Sequence, residues 1–131
     1  FDSVVERIHQ FEAAGADAIF AEAMTSIDLY EKVVDSVDIP VLANITEFGQ
    51  TPYFTLDELR DVGISMALYP LSAFRSMSLA ALNVYEEIRT NGTQNGVLNT
   101  MQTREELYEM LDYHSFEKKL DVLFEERKNN G

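Results

Sequence analysis

Two arginines occupy positions where a cation is not expected. Arg75 stands three residues after Ser72, and Arg104 directly follows Thr103, both reading as helix N-caps. A cation in a first helical turn opposes the macrodipole, at a cost of only ~0.3–1 kcal/mol. The same position places a guanidinium fork beside free backbone N–H groups, a receptor for a carboxylate or phosphate. Pairing with a neighbouring Asp or Glu explains the placement equally well. Other polar groups follow apolar runs: Glu22 closes one, Asn44-Ile45-Thr46-Glu47 closes a second, and Tyr69-Pro70-Leu71-Ser72 follows a third. Polar residues follow strands in any protein, but in parallel α/β folds ligands sit beyond the carboxyl ends of strands, so three such ends on one face favour a site. Glu47 either orients the loop Phe48-Gly49-Gln50-Thr51-Pro52 or acts on a ligand. His9 and His114 lack metal-ligand spacing, Met66, Met77 and Met110 read as core filler, and Gly92 and Gly96 form no phosphate loop.

Positioning these groups takes an alternating set of elements. Val4, Val5, Ile8 and Phe11 recur at helical spacing up to Gly15. The runs 17–22, 39–44 and 65–70 are short and apolar, and Pro40 sits at a strand start, where it is tolerated. Between them, Ile27, Tyr30, Val33, Val34 and Val37 restore the helical period, and Thr55-Leu56-Asp57-Glu58 is a capping box opening a helix that ends near Gly63. Ser72 to Arg89 predicts a long helix with Phe74, Met77, Ala81, Val84, Tyr85 and Ile88 on its inner face, ended by Gly92. The order is αβαβαβα, with strands apolar on both faces, which predicts a parallel sheet covered by helices. Three strands cannot close an eight-stranded barrel, so the sheet is either open or completed elsewhere.

After Gly92 the pattern changes. The stretch 91–96 is loop-like. Thr103-Arg104-Glu105-Glu106 is a second capping box, followed by Leu107, Met110 and Leu111. Ser115 is expected to cap a last helix with Phe116, Leu120, Leu123 and Phe124 inward. No strand precedes these helices, so they read as an appendage suited to packing on a neighbouring subunit.

The composition excludes several classes. Acidic residues number 23 against 10 basic ones in 131, a net charge of −13. That balance argues against nucleic acid and anionic membrane surfaces. No apolar run approaches the roughly 20 residues of a membrane span. The chain has no cysteine, hence no disulfide, thiolate metal site or cysteine nucleophile of its own. It starts Phe1-Asp2-Ser3 with a helix already under way, and is expected to be part of a longer polypeptide.

Three motifs make the pattern recognisable: Leu42-Ala43-Asn44-Ile45-Thr46-Glu47-Phe48-Gly49, the run from Ala67 to Arg75, and Asn99-Thr100-Met101-Gln102-Thr103-Arg104-Glu105-Glu106-Leu107-Tyr108. In order and at these separations they resemble the 2-methylisocitrate lyases of the isocitrate lyase and phosphoenolpyruvate mutase superfamily, over nearly the whole chain. The resemblance implies an α/β fold: the C-terminal part of a (β/α)8 TIM-type barrel, from about the sixth strand, with extra C-terminal helices. Residues 1–92 would be the last β/α units and 93–131 a helical appendage, exchanged between subunits of a homotetramer.

The implied reaction splits 2-methylisocitrate into pyruvate and succinate with Mg²⁺, in the methylcitrate cycle of propionate catabolism, in the cytoplasm. A base takes the hydroxyl proton, the C–C bond breaks, and charge gathers on the succinate fragment, which must be stabilised and protonated. By the same resemblance Glu22, Asn44, Ile45, Thr46, Arg75 and Arg104 bind the tricarboxylate substrate and its dicarboxylate product. Glu22 would stand near the metal, reaching it through water. The family's metal carboxylates, Ser-Gly-Gly loop and Lys-Lys-Cys-Gly-His motif have no counterpart in these residues, so no catalytic residue and no direct metal ligand are expected here, and these 131 residues alone are expected to be inactive. Two alternatives stand beside this expectation: another chemistry of the superfamily (isocitrate lyase, oxaloacetate decarboxylase or phosphonomutase), or a non-catalytic assembly module.

Overall fold

The computed structural model describes residues 1–129. The last two residues of the helical segment expected over 93–131 lie outside the described residues. The chain divides into two compact units, Phe1–Leu79 and Ala80–Gly131.

The first unit is built as helix and strand in alternation: α1 (Asp2–Ala13), β1 (Ile19–Ala21), α2 (Ile27–Val34), β2 (Val41–Asn44), α3 (Leu56–Asp61), β3 (Met66–Leu68) and the start of α4 (Ser72–Asn91). The strands form one parallel sheet in the order β1-β2-β3. Register sets Ala21 beside Ala43 and Ala43 beside Ala67, with Phe20, Leu42 and Met66 aligned one residue earlier. Side chains alternate between the faces of a strand, so these two rows point in opposite directions.

One face is packed. Ile19, Ala21, Val41 and Ala43 from the strands meet Ile8 of α1, Tyr30 and Val33 of α2 and Leu59 of α3 in a single buried cluster. Each fully buried Val or Leu there contributes roughly 1.5–3 kcal/mol over an exposed one. Tyr30 meets the Phe54 ring edge-on at 6.1 Å between centroids. Local signals set the element ends. The Thr55 hydroxyl accepts from the Glu58 N–H and the Glu58 carboxylate accepts from the Thr55 N–H, completing the expected capping box. Gly63 turns the chain out of α3 at φ +81°. His9 Nε2 lies 2.7 Å from the Ser36 carbonyl oxygen and Glu12 accepts from the Asp38 N–H at 2.9 Å, so α1 is tied to the segment after α2.

The other face corrects an expectation. The strands are apolar on both sides, but α1, α2 and α3 all pack on the same one. Phe20 is 52 % exposed, and Met66 and Leu68 are exposed with it. The long helix differs in the same way. α4 spans its expected range and ends before Gly92, yet it has no buried residue. Of its expected inner face, Val84 is half-buried while Phe74, Met77, Ala81, Tyr85 and Ile88 are exposed. The stripe has helical spacing, but none of the described residues covers it.

The second unit carries the end of α4, a 3-10 turn (Asn95–Thr100), α5 (Arg104–Met110) and α6 (Tyr113–Asn129). Glu87 holds the turn, accepting from the Gly96 N–H at 3.2 Å and from Asn91 Nδ2 at 2.8 Å. Thr103 and Glu106 form the second capping box. α6 begins at Tyr113 rather than after Ser115, because Asp112 takes the left-handed conformation (φ 50°) and breaks the helix there. Tyr108 stacks on Tyr113 at 4.3 Å across that break. The expected inward residues Phe116, Leu120, Leu123 and Phe124 are exposed, as are Leu107, Met110 and Leu111. No helix among the described residues is long and apolar enough to cross a membrane.

Candidate functional site

The carboxyl ends of the three strands gather the polar residues of the first unit. Register continues past Ala21 and Ala43, so Glu22 and Asn44 stand side by side on the sheet face that carries Phe20 and Leu42. Asn44 Nδ2 donates to Glu22 Oε2 at 3.3 Å. Glu22 is exposed and Asn44 half-buried. Asn44 Oδ1 is buried and has no hydrogen-bond partner, as is the Tyr30 hydroxyl. Burial pushes the Tyr30 phenol up from its ordinary value, the neighbouring Asn44 backbone and Thr51 side chain pull it down, and the Glu22 charge adds to the rise.

The next residues divide by face. Ile45 extends the ladder, its N–H donating to the Leu68 carbonyl at 2.8 Å, and its side chain is only 5 % exposed in the core. Of Ile45, only the backbone carbonyl is left to meet a ligand. Thr46 is half-buried at the strand end. Glu47 then turns toward α4. Ser72, the first residue of α4, donates its hydroxyl to Glu47 Oε1. Arg75 Nη1 donates to the Glu47 carbonyl at 2.6 Å and faces Glu47 Oε2 at 3.3 Å. The Ser72 hydroxyl, then the residue's own N–H, hold the Glu47 carboxyl below its ordinary value, and the Arg75 charge adds to the effect.

Phe48 completes this corner. It is 87 % exposed and sits at φ 62°, a left-handed conformation disfavoured for an aromatic residue. The Tyr53 hydroxyl accepts from its N–H at 3.1 Å, and the Arg75 guanidinium carbon lies 5.2 Å from its ring centre, a cation–π contact. Arg75 is thus paired with an acidic neighbour through Nη1, while its Nε and Nη2 make no hydrogen bond or ion pair with a described residue.

The structure therefore brings Glu22, Asn44, Thr46 and Arg75 to the ends of neighbouring elements in the first unit. Arg104 belongs to the second unit, as the first residue of α5 after the Thr103 cap. Its guanidinium makes no hydrogen bond or ion pair with a described residue. Glu47 and Ser72 join Arg75 in this corner, and the sequence alone leaves Glu47 open between orienting its loop and acting on a ligand. The only advance signal was an acidic residue beside a loop.

Chemically the corner combines N–H and hydroxyl donors with two carboxylates, those of Glu22 and Glu47. Asn44 and Arg75 supply amide and guanidinium N–H donors and Thr46 a hydroxyl, while Glu22 is the exposed carboxylate. It is not a metal cage. Among the described residues, no group of three His, Cys, Asp or Glu could hold a metal ion, and Glu22 is the one carboxylate beside Asn44.

Comparison with known proteins gives this corner a context. The model of the phosphoenolpyruvate phosphomutase family matches residues 1–89. The 2-methylisocitrate lyase of Escherichia coli (strain K12) is 54 % identical over 123 residues, covering 94 % of this chain and 42 % of that protein. A crystal structure of 2,3-dimethylmalate lyase, a member of the phosphoenolpyruvate mutase and isocitrate lyase superfamily, superposes with a TM-score of 0.79 at 24 % identity, over 94 % of this chain and 42 % of that one. A phosphonopyruvate hydrolase in complex with oxalate and Mg²⁺ gives 0.71 at 22 % identity, over 89 % and 42 %. Likeness at this level of identity shows a shared mixed α/β fold. The chain spans about two-fifths of the length of the curated relatives it matches.

Proposed function

The chain belongs to the phosphoenolpyruvate phosphomutase family, and from that premise we propose that it forms the substrate-gripping part of a carbon–carbon lyase that cleaves 2-methylisocitrate to pyruvate and succinate. What carries the proposal is the convergence of Glu22, Asn44, Thr46 and Arg75 at the strand ends, in a chain 54 % identical to a 2-methylisocitrate lyase over 94 % of its length. A tricarboxylate needs several cationic or amide partners, and cleavage moves negative charge onto the succinate fragment. Arg75 and Arg104 grip carboxylates. Asn44 and Thr46 donate to oxygens. Glu22, at the polar rim, faces the hydroxyl side of the substrate. These groups bind and orient, and fixed donors aimed at developing charge accelerate such a step.

Mg²⁺ is the proposed cofactor, supplying Lewis-acid stabilisation of the substrate oxygens when bound. The described residues do not make its cage, so its direct ligands are assigned outside them. The sheet is read as the last strands of a (β/α)8 barrel, with Phe20, Leu42, Met66 and Leu68 on the interior face, residues 1–92 as the final β/α units and 93–131 as the helical appendage. The exposed apolar residues of α5 and α6 support helix exchange in a cytoplasmic homotetramer.

The test is pyruvate release from 2-methylisocitrate by the full-length protein with Mg²⁺. Turnover of that substrate well above isocitrate and oxaloacetate is expected. Preference for isocitrate, oxaloacetate or a phosphonate moves the assignment to a sibling chemistry of the family. Absence of turnover together with absence of succinate binding leaves an assembly module.

A further inference from the structure

We infer that Glu47 is the positioning residue for Arg75, presenting the outer edge of the guanidinium to a carboxylate ligand. The inference rests on the proposed role of Arg75 in gripping substrate.

Glu47 leaves the end of β2 and Arg75 lies one turn into α4, so the contact joins two elements that the sequence separates by 28 residues. Both Glu47 contacts fall on Nη1, at 2.6 Å from the carbonyl oxygen and 3.3 Å from Oε2. Ser72 holds the other carboxylate oxygen, so the Glu47 side chain cannot swing away with Arg75. The Phe48 ring, 5.2 Å from the guanidinium carbon, limits tilting of the plane. Arginine has five donors in a rigid fork. With Nη1 held, the donors on Nε and Nη2 form the paired edge that matches a carboxylate bidentately. A free arginine loses side-chain entropy when it grips a ligand, and Glu47 removes much of that loss in advance.

The alternative is that Glu47 competes with the ligand for Arg75. The two roles predict opposite signs. In the full-length protein with Mg²⁺, succinate binding is measured by calorimetry and 2-methylisocitrate cleavage by steady-state kinetics, for Glu47→Ala, Glu47→Gln, Arg75→Ala and the Glu47→Ala/Arg75→Ala double variant. Glu47→Ala is expected to weaken succinate binding and raise KM about tenfold, with a smaller change in kcat. Glu47→Gln, which keeps an acceptor for Ser72 and the same backbone carbonyl, is expected to recover part of the loss with an unchanged melting temperature. Against Arg75→Ala, Glu47→Ala is expected to add nothing. NMR of the ligand-free protein is expected to show slow rotation of the Arg75 guanidinium, and fast rotation in Glu47→Ala. Wild-type or tighter binding by Glu47→Ala overturns the inference, as does an equal loss in both backgrounds. Wild-type binding and kinetics in Arg75→Ala instead overturn the role of Arg75, a result distinguishable from failure at Glu47 alone.

Discussion

Asn44 Nδ2 donates to Glu22 Oε2 at 3.3 Å, joining the ends of two adjacent parallel strands. The pair is a consequence of register: Ala21 aligned with Ala43 puts the next residue of each strand side by side. Their neighbours Phe20 and Leu42 are apolar, so the acid and the amide are the first polar groups on that face. The amide satisfies the carboxylate while keeping a second N–H for a ligand.

Replacing the amide by an acid reverses that arrangement. Asn44→Asp sets a second carboxylate beside Glu22, which repels an anionic substrate and raises the pKa of one of the two acids. A loss of at least a hundredfold in kcat/KM for 2-methylisocitrate is expected in the full-length protein. Asn44→Ala removes the donor without adding charge and is expected to lose ~10–100-fold, the equivalent of ~1.5–3 kcal/mol for a hydrogen bond to a charged group. Equal losses in the two variants would show that charge beside Glu22 is irrelevant.

The two arginines are expected to behave alike toward substrate and differently toward the fold. Arg75→Ala and Arg104→Ala should each cost ~1.5–3 kcal/mol or more in kcat/KM, the worth of a charge-assisted contact. Lysine should restore little at either position, because it lacks the planar fork. Arg75 alone is tied to Glu47 and Phe48, so only its removal should alter the environment of the 46–53 loop, read as increased amide exchange there. Unchanged kinetics in both alanine variants would sink the substrate assignment.

Acid should weaken the fold through its capping carboxylates. Glu58 is held below its ordinary value of 4.5 by the Thr55 N–H and hydroxyl, and Glu106 by the same groups of Thr103. A depressed folded pKa contributes stability that is fully present above the unfolded value and is lost as pH falls through the folded one. The urea midpoint of the full-length protein is therefore expected to decline below about pH 4.5, with Glu58→Gln and Glu106→Gln flattening the decline. Thr55→Ala should lower stability by about 1 kcal/mol at neutral pH.

Those capping boxes were legible in the sequence because each is complete within four residues, Thr55 to Glu58 and Thr103 to Glu106. The three strands were legible for a related reason: short apolar runs between amphipathic helices leave few alternatives. Their polar ends then placed Glu22, Asn44, Thr46 and Arg75 on the strand and helix ends where they stand. Periodicity was informative about which residues share a stripe and silent about what covers it. Phe74, Tyr85 and Phe116 lie on helices as expected, yet are exposed. The link from Glu47 to Arg75 was illegible in another way. It depends on where the end of β2 meets the start of α4, which no local pattern encodes. The start of α6 was missed because Asp112, an aspartate able to adopt the left-handed conformation, ends the turn three residues before the serine that resembled a cap.

Two glycines separate a rigid requirement from a soft one. At Gly63, φ is +81° and an added Cβ would lie 2.9 Å from Val34 Cγ1. The left-handed backbone disfavours any side chain by roughly 1–2 kcal/mol. Val34 is β-branched, stiff at χ1 and packed against the core, so it cannot rotate aside freely. Overpacking adds ~1–3 kcal/mol, and Gly63→Ala is expected to destabilise by about 2–5 kcal/mol in urea unfolding. At Gly96 the added Cβ would meet the Glu87 carboxylate, with Cδ 2.9 Å away. That group is the tip of a flexible side chain and can swing off, surrendering its bonds to the Gly96 N–H and Asn91. Net hydrogen bonds of this kind are worth ~0.5–1.5 kcal/mol each, so Gly96→Ala is expected to cost less than Gly63→Ala. A cost equal to that of Gly63→Ala would mean that Glu87 is held rigidly over the 3-10 turn, and Glu87→Ala should then rescue Gly96→Ala.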